Sequence, residues 1–311
     1  MLKNARQIFF NTSTGKIRAV ANIQNISLPP NQNKYSNDDD YYLDDPYEGE
    51  LFCMIVTLLS EDFTSDEISK IWIDKRKKLQ PANYEIKELG KTVTVERGWW
   101  FSAHEQWKNL FMPYYLSGTY WKIFTNGEKV RTWNSRIKGI NGLYAATTGT
   151  ANSNKDQLDY FADCGLPEVS FQKINHLQEV TPYGSFPLFL ASKAYGAVWY
   201  HNMLMSPSAQ TKYGSLEATN VTGANVSPML TWDTKITTIV AMLGGTTDIV
   251  EYELTKRGKK LNMVNRLELE YALAFRNAVG FDIDYALPNV TVRTGKKDFT
   301  TCTTTISSIS S

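Results

Sequence analysis

The sequence predicts a mainly helical fold, two concentric layers of helices in an α/α toroid, entered through a short β hairpin. Three observations carry this expectation. Very apolar helical segments alternate with charged amphipathic ones, as expected when inner helices are buried all round and outer helices keep one wet face. Strand-like segments are too few for a βαβ sheet, and no repeat of solenoid length is visible. At 311 residues the chain can bury a large core.

In chain order, residues 5–27 read as a hairpin, with β-leaning stretches at 7–11 and 16–23 and a turn at 12–15. The stretch 29–45 is rich in Pro, Asn, Ser and Asp, carries the run Asp38, Asp39, Asp40, and reads as a solvated loop. From Glu50 the pattern turns helical, and 51–59 is apolar almost all round, an inner helix. Thr64 followed by Glu67 is a capping-box signature, opening an amphipathic outer helix that runs to Lys78. A strand is expected at 93–95, and Ser102 caps a helix running to Phe111, which Pro113 ends. Further helices are expected over 118–131, 156–163, 185–203, 232–243, 246–257 and 262–279, with Gly244, Gly245 and Gly258 as C-terminal stops. Long loops at 147–155, 164–184 and 212–230 carry Tyr, Glu and Asn, and loops of that length in a compact domain usually build a site. The expected organisation is a β-like segment with an acidic loop at 1–46, a helical domain at 47–290 and a Ser/Thr-rich tail at 291–311.

Composition excludes several classes. With 33 basic and 32 acidic residues the formal net charge is +1, leaving no electrostatic case for nucleic acid or an anionic membrane. No apolar run is long enough to span a bilayer. Met1, Leu2, Lys3 and Asn4 lead into a polar segment rather than the apolar centre of a signal peptide, while sequons at Asn11, Asn25, Asn220, Asn225 and Asn289 lean toward a secreted or extracellular parent. Cys53, Cys164 and Cys302 form no CxxC pair, and with His104, His176 and His201 they offer no metal-ligand spacing; no metal and no cofactor is expected. Nucleophile-elbow, P-loop, HExxH and dinucleotide-binding patterns are absent.

Two carboxylates stand out. YEGELFC (47–53) sets Glu50 where the apolar helix begins, and TWDTK (231–235) does the same with Asp233. A helix N-terminus offers unpaired N–H groups and a partial positive charge, so each acid has a plain explanation as a cap. Two of them amid aromatic residues also suit chemistry on a sugar, where one carboxyl group protonates the leaving oxygen and a second activates water. GWWFSAHEQWK (98–108) is the densest cluster: His104 and Lys108 share a helix face and Glu105 points away. Trp99, Trp100, Phe101 and Trp107 fit a core as a group, and Glu105 fits a first-turn acid, while His104, Glu105 and Gln106 are also candidates to touch a ligand. In VTPYGSFPLF (180–189), Tyr183 lies in ordinary turn-and-cap chemistry; in YGSLEATNV (213–221), Glu217 shares a loop with Tyr213 and Asn220. RTWNSR (131–136) offers Arg131, Arg136 and Asn134 as hydroxyl-binding donors or as a surface charge pair.

Taken in order, EGELF, GWWFSAHEQWKNLFMPY, VRTWNS, VTPYGSFP, YGSLEATNV and VTGANVSPMLTWDTKITTIVAMLGG resemble the fungal endo-β-1,2-glucanase group, glycoside hydrolase family 162, over about 48–288. The order of the blocks carries the specificity. The resemblance implies an (α/α)6 barrel that cleaves linear β-1,2-glucan internally, with inversion and without a metal. It implies Glu50 as general acid and Asp233 as general base acting through water, the protons passing through water and substrate hydroxyls. Glu105 and Glu217, with the neighbouring Trp100, Tyr183 and Tyr213, would then bind glucose units, and His104, Arg131 and Asn134 complete the candidate set. Family members carry a long N-terminal portion that supplies the first barrel helices, and here only a short β-like segment precedes Glu50. The chain thus looks like the C-terminal larger part of such a protein, a barrel incomplete at its N-terminus, which bears on activity rather than on ancestry. The expected partner is a β-glucan oligosaccharide or polysaccharide, bound by a monomer. The rivals are a non-catalytic carbohydrate-binding protein, an inactive or partner-binding fragment, and a lyase using Tyr or His as base.

Overall fold

The computed structural model describes residues 2–36, 41–149, 159–205 and 209–289. The Asp38–Asp40 run, the tail 291–311 and Cys302 lie outside them, as do residues 156–158 of the expected 156–163 helix. The chain begins with a helix rather than a strand: α1 (Leu2–Phe9) places Ala5 in the core, and only then do β1 (Phe10–Asn11) and β2 (Lys16–Ile17) form the hairpin. Ala5 and Phe9 recur at a helical four-residue spacing, which outweighs the β-leaning residues between them. A second small pair, β3 (Asn22–Ile23) and β4 (Tyr35–Ser36), closes the segment.

The apolar run becomes α2 (Glu48–Leu59), and the capping box of α3 (Ser65–Arg76) is complete, Thr64 accepting from the Glu67 N–H while Glu67 accepts from the Thr64 N–H. The next element is larger than the expected strand. Six-residue β5 (Pro81–Ile86) pairs antiparallel with β6 (Lys91–Glu96), because Tyr84 and Ile86 alternate inward against Val93 and Val95. The helix expected from Ser102 splits into a 3₁₀ turn, Ala103–Gln106, and a single turn of α4 (Lys108–Phe111).

α5 (Gly118–Ile137) is longer than expected, running to Ile137, and buries residues on all sides. β7 (Thr147–Thr148) pairs with β8 (Tyr160–Phe161), so the described end of the expected 156–163 helix is a strand. β9 (Glu179–Val180) follows, and the expected 185–203 helix is broken at Ser192, in extended backbone, into α6 (Phe186–Ala191) and α7 (Lys193–Leu204). β10 (Gln210–Thr211) and β11 (Gly214–Ser215) make a tight hairpin, and β12 (Thr219–Asn220) pairs back to β9, stitching two of the long loops together. α8 (Trp232–Met242), α9 (Thr247–Lys256) and α10 (Lys260–Ala274) complete the order.

α5 is the spine. Its Tyr120, Ile123 and Phe124 enter a core with α1, the first hairpin, α2, α3 and α10, where Phe10, Met54, Trp72 and Tyr271 are buried. Its Val130 enters a second core under the β5–β6 hairpin with Phe101, Tyr144 and Cys164. A third core gathers Ala103, Tyr183, Phe186, Phe189 and Ala241, setting α6 against α8.

Candidate active site

The apolar sequence of α2 carries Glu50 inward, and the carboxyl group has 0% exposure. Its Oε2 accepts from Lys108 Nζ at 3.1 Å and from the Tyr271 hydroxyl at 2.9 Å. Its Oε1 has no hydrogen-bond partner among the described residues. The same two donors reach a second acid, which sequence reasoning missed: Glu96 Oε2 lies 3.4 Å from Lys108 Nζ and 2.8 Å from the Tyr271 hydroxyl. Burial pushes the Glu96 carboxyl up, Lys108 pulls it back and the Glu50 charge pushes it further up. The only sequence signal for Glu96 was its place at the end of a β-branched run.

Tyr114 and Tyr120 are buried beside the same acids, their hydroxyls held protonated by burial first; the Glu50 charge acts in the same sense, while Lys108 opposes it at Tyr120. Lys108 keeps its proton despite burial because Glu50 and Glu96 both face it. Lys75, from α3, is buried nearby and bonds the Asp45 carbonyl at 3.0 Å; burial lowers its proton affinity, against the charge of Glu50.

The Gly98–Lys108 segment folds around Glu105. The carboxylate accepts from the N–H groups of Trp99 at 2.9 Å, Trp100 at 2.8 Å and Ser102 at 3.2 Å. This latch holds Phe101 at φ 57, left-handed backbone that a bulky residue rarely adopts. Gly98 admits the approach, since a Cβ there would lie 2.6 Å from Glu105 Oε2. Burial raises the Glu105 carboxyl to about 7, against the pull of those three N–H groups. Glu105 is thus committed to shaping the loop.

That loop sets the His104 ring 5.7 Å from Trp100 and 5.9 Å, edge on, from Tyr47, the residue that opens α2. His104 Nδ1 accepts from the Ala146 N–H at 3.2 Å, which fixes the neutral tautomer with its proton on Nε2. Burial, with help from Arg131, lowers the imidazole to about 4. The Tyr183 hydroxyl donates to the Ala146 carbonyl, so Tyr47, His104, Ala146 and Tyr183 form one continuous chain of contacts.

At its far end are the acids Glu217 and Asp233. Tyr183 feels the charges of Glu217 and Asp233, as does Tyr160. Glu217 is buried, receiving Thr147 Oγ1 and the Thr148 N–H, each at 3.4 Å, and the Thr231 hydroxyl. Thr231 in turn lies 2.6 Å from Thr234 Oγ1, so Glu217 anchors the first turn of α8, where exposed Asp233 sits. Around Asp233 stand Trp232 (78% exposed) and Tyr160 (66%). The β10–β11 hairpin carrying Tyr213 (68%) is tied to α8 by Lys235, whose Nζ bonds the Ser215 carbonyl at 2.5 Å.

Two candidates are buried in the packing around α5. Arg131 is buried, its guanidinium bonding the carbonyls of Tyr144 and Gly184, both at 2.8 Å, and facing Glu128 at 3.3 Å. Asn134 is buried beneath β5, taking the Tyr84 hydroxyl at 3.3 Å. Neither is at the surface, as a surface charge pair would require; both tie α5 to its surroundings. Among the described residues no group of three or more His, Cys, Asp or Glu is placed to hold a metal, and no helix is long and apolar enough to cross a membrane.

A family model described as "Endo-beta-1,2-glucanase SGL" matches residues 1–303. The solved structure of an endo-β-1,2-glucanase from Talaromyces funiculosus with sophorose superposes at a TM-score of 0.86 and 35% identity, covering 94% of this chain and 59% of that one. A glutamate-to-glutamine mutant of the endo-β-1,2-glucanase from Talaromyces funiculosus, with β-1,2-glucan, gives the same figures. No curated protein matches. The chain spans less than two thirds of the length of these solved relatives.

Proposed function

The chain belongs to the endo-β-1,2-glucanase SGL family, glycoside hydrolase family 162, and from that premise we propose that it cleaves β-1,2-glucan internally, with inversion. The carrying observation is the match over 94% of the chain to an enzyme solved with sophorose. In this reading Glu50 is the general acid and Asp233 the general base acting through water. The unlike surroundings of the two acids support the assignment. Glu50 is buried against a cation with one oxygen that has no hydrogen-bond partner among the described residues, whereas Asp233 is exposed on a helix N-terminus that Glu217 anchors. Trp232, Tyr160 and Tyr213 offer flat faces on which a glucan chain stacks, and neutral His104 offers its Nε2–H to a hydroxyl. The fold reading is an (α/α)6 toroid, supported by the buried, all-round packing of α5 and α6 inside the wet-faced α3, α9 and α10. Exposed sequon asparagines at Asn25 and Asn225 support a parent protein outside the cell.

Incubation with linear β-1,2-glucan, with β-1,3- and β-1,4-glucans as controls, tests this. Oligosaccharide release from the β-1,2 polymer alone is expected, and Glu50→Gln and Asp233→Asn are each expected to lower it by about 10²–10⁴-fold. Full activity in both variants would end the assignment. One observation favours a second reading, a glucan-binding protein without turnover: Glu50 has 0% exposure while the aromatic residues beside Asp233 stand in solvent. Oligosaccharide binding by the folded chain with no release from any glucan selects it.

A further inference from the structure

The four atoms where Glu50 and Glu96 meet have more contacts than hydrogens. Lys108 Nζ approaches Glu50 Oε2 at 3.1 Å, Glu96 Oε2 at 3.4 Å and the Tyr271 oxygen at 3.1 Å. The Tyr271 oxygen also lies 2.9 Å from Glu50 Oε2 and 2.8 Å from Glu96 Oε2. An ammonium brings three hydrogens and a phenol one, so one of the five contacts must be supplied by a protonated carboxyl group. Tyr271 can donate to only one of the two acids; from the other it must accept. Two buried carboxylates around one ammonium would otherwise repel, which points the same way. The two acids also differ in access. Glu50 has 0% side-chain exposure and Glu96 has 17%, so of the two only the Glu96 side chain has surface open to water.

We propose that Glu96 recharges Glu50 with a proton through the Tyr271 hydroxyl, Tyr271 and Lys108 being the bridge that holds the two acids at relay distance. The inference rests on Glu50 being the general acid. Once Glu50 has given its proton to the leaving oxygen, the carboxyl proton of Glu96 passes to the Tyr271 oxygen as the Tyr271 proton passes to Glu50 Oε2. The phenol ends neutral, Glu50 is reprotonated, and Glu96 takes the balancing proton from solvent. Burial and the Glu50 charge both favour a proton on Glu96, in keeping with this resting state. The other titratable groups facing the pair are Lys75 from α3, Cys53 from α2, Tyr114, Tyr120 of α5 and, beside Glu96, Glu105.

The experiment compares Glu96→Gln, Glu96→Asp and Tyr271→Phe with the parent chain, after circular dichroism shows each folded. Glu96→Gln and Tyr271→Phe are expected to lower kcat about tenfold or more on β-1,2-glucan with KM little changed. In Glu96→Gln the alkaline limb of the kcat–pH profile is expected to move, because the ionisation of the carboxyl group that supplies the proton is gone. Glu96→Asp should restore part of both effects. Unchanged kcat and limb in Glu96→Gln and Tyr271→Phe, with Glu50→Gln inactive, would overturn the relay while leaving the acid assignment standing. Full activity in Glu50→Gln would remove the assignment, and the relay with it. The resting proton is also read without turnover, by infrared spectroscopy of the folded chain at neutral pH. A buried protonated carboxyl band is expected that both Glu96→Gln and Glu50→Gln alter; no such band in the parent chain overturns the proposal.

Discussion

Glu105 shows how one carboxylate can be structural and still matter to a site. Three backbone N–H groups converge on it, and the loop they shape carries Trp100 and His104. Removing the carboxylate leaves those donors buried without an acceptor, so Glu105→Ala is expected to lose about 2–4 kcal/mol in urea unfolding. A loss under about 0.5 kcal/mol would mean that the latch is dispensable. His104 gives a prediction with a sign. Its folded value is lowered to about 4 from the ordinary 6.5, so its stability contribution is present above 6.5 and disappears as pH falls from 6.5 to 4. The loss amounts to at most about 3 kcal/mol. Glu105 works in the opposite sense: its folded value is raised to about 7, so what it contributes is present in acid and lost as pH rises toward 7. The two partly cancel in the parent chain, and the difference between parent and His104→Asn isolates the histidine. That difference is expected to shrink as pH drops from 6.5 to 4; a constant difference would mean that the imidazole is not held neutral.

At the scale of elements, α8 is turned inside out. Thr234, Thr237, Thr238 and Ala241 face inward, while Trp232, Ile236, Ile239 and Leu243 form a helical stripe facing outward. The inward threonines make a polar column, Thr238 bonding the Thr234 carbonyl at 2.8 Å and Thr234 meeting Thr231 at 2.6 Å. Because that column ends on Glu217, Thr231→Val is expected to cut β-1,2-glucan turnover about tenfold while leaving the circular-dichroism spectrum unchanged. Ile239→Lys, on the outer stripe, is expected to change stability by no more than about 0.5 kcal/mol and to raise solubility. Equal turnover in Thr231→Val and the parent would remove Glu217 from any part in placing Asp233. The helix itself was legible from its apolar content and its Gly244 stop, but its orientation was not, since a sequence pattern normally sends the apolar stripe inward. The same limit explains the rest. The Thr64–Glu67 box is local, so it was readable and is present as read. The pairing of β5 with β6 was half visible in the alternation of Tyr84 and Ile86, yet only Val93 to Val95 were dense enough in β-branched residues to signal a strand. Glu50 and Asp233 were singled out because each opens an apolar helix. Glu96 and Tyr271 were not, because their role arises from contacts 175 residues apart that no local pattern records.

At the scale of the whole molecule, the site's buried acid is held by both ends of the described chain. α10, near its close, brings Tyr271 to Glu50, and the first hairpin packs the other side of α2. Phe10 stacks on Phe52 of α2 with ring centroids 5.5 Å apart and meets Phe63 edge on at 5.2 Å. Gly15, at φ +79, lets the turn lie against α3, where a Cβ would fall 2.4 Å from the Lys70 backbone. Arg6 of α1 pairs with Glu67, the same residue that closes the α3 capping box. These contacts bear on whether residues 1–46 form a segment of their own, as the sequence suggests. Phe10→Ala decides the matter, because the ring is only 2% exposed and its loss leaves a cavity against α2. If the segment is integral, the variant loses about 3–5 kcal/mol and the main thermal transition falls on the order of 10 °C as one cooperative step. A separate segment would instead give a small early transition with the main one unmoved, and glucan cleavage at low temperature would survive. The packing of Phe10, Ile17, Met54 and Trp72 into one core favours the first outcome, in which damage at the hairpin reaches Glu50 through α2.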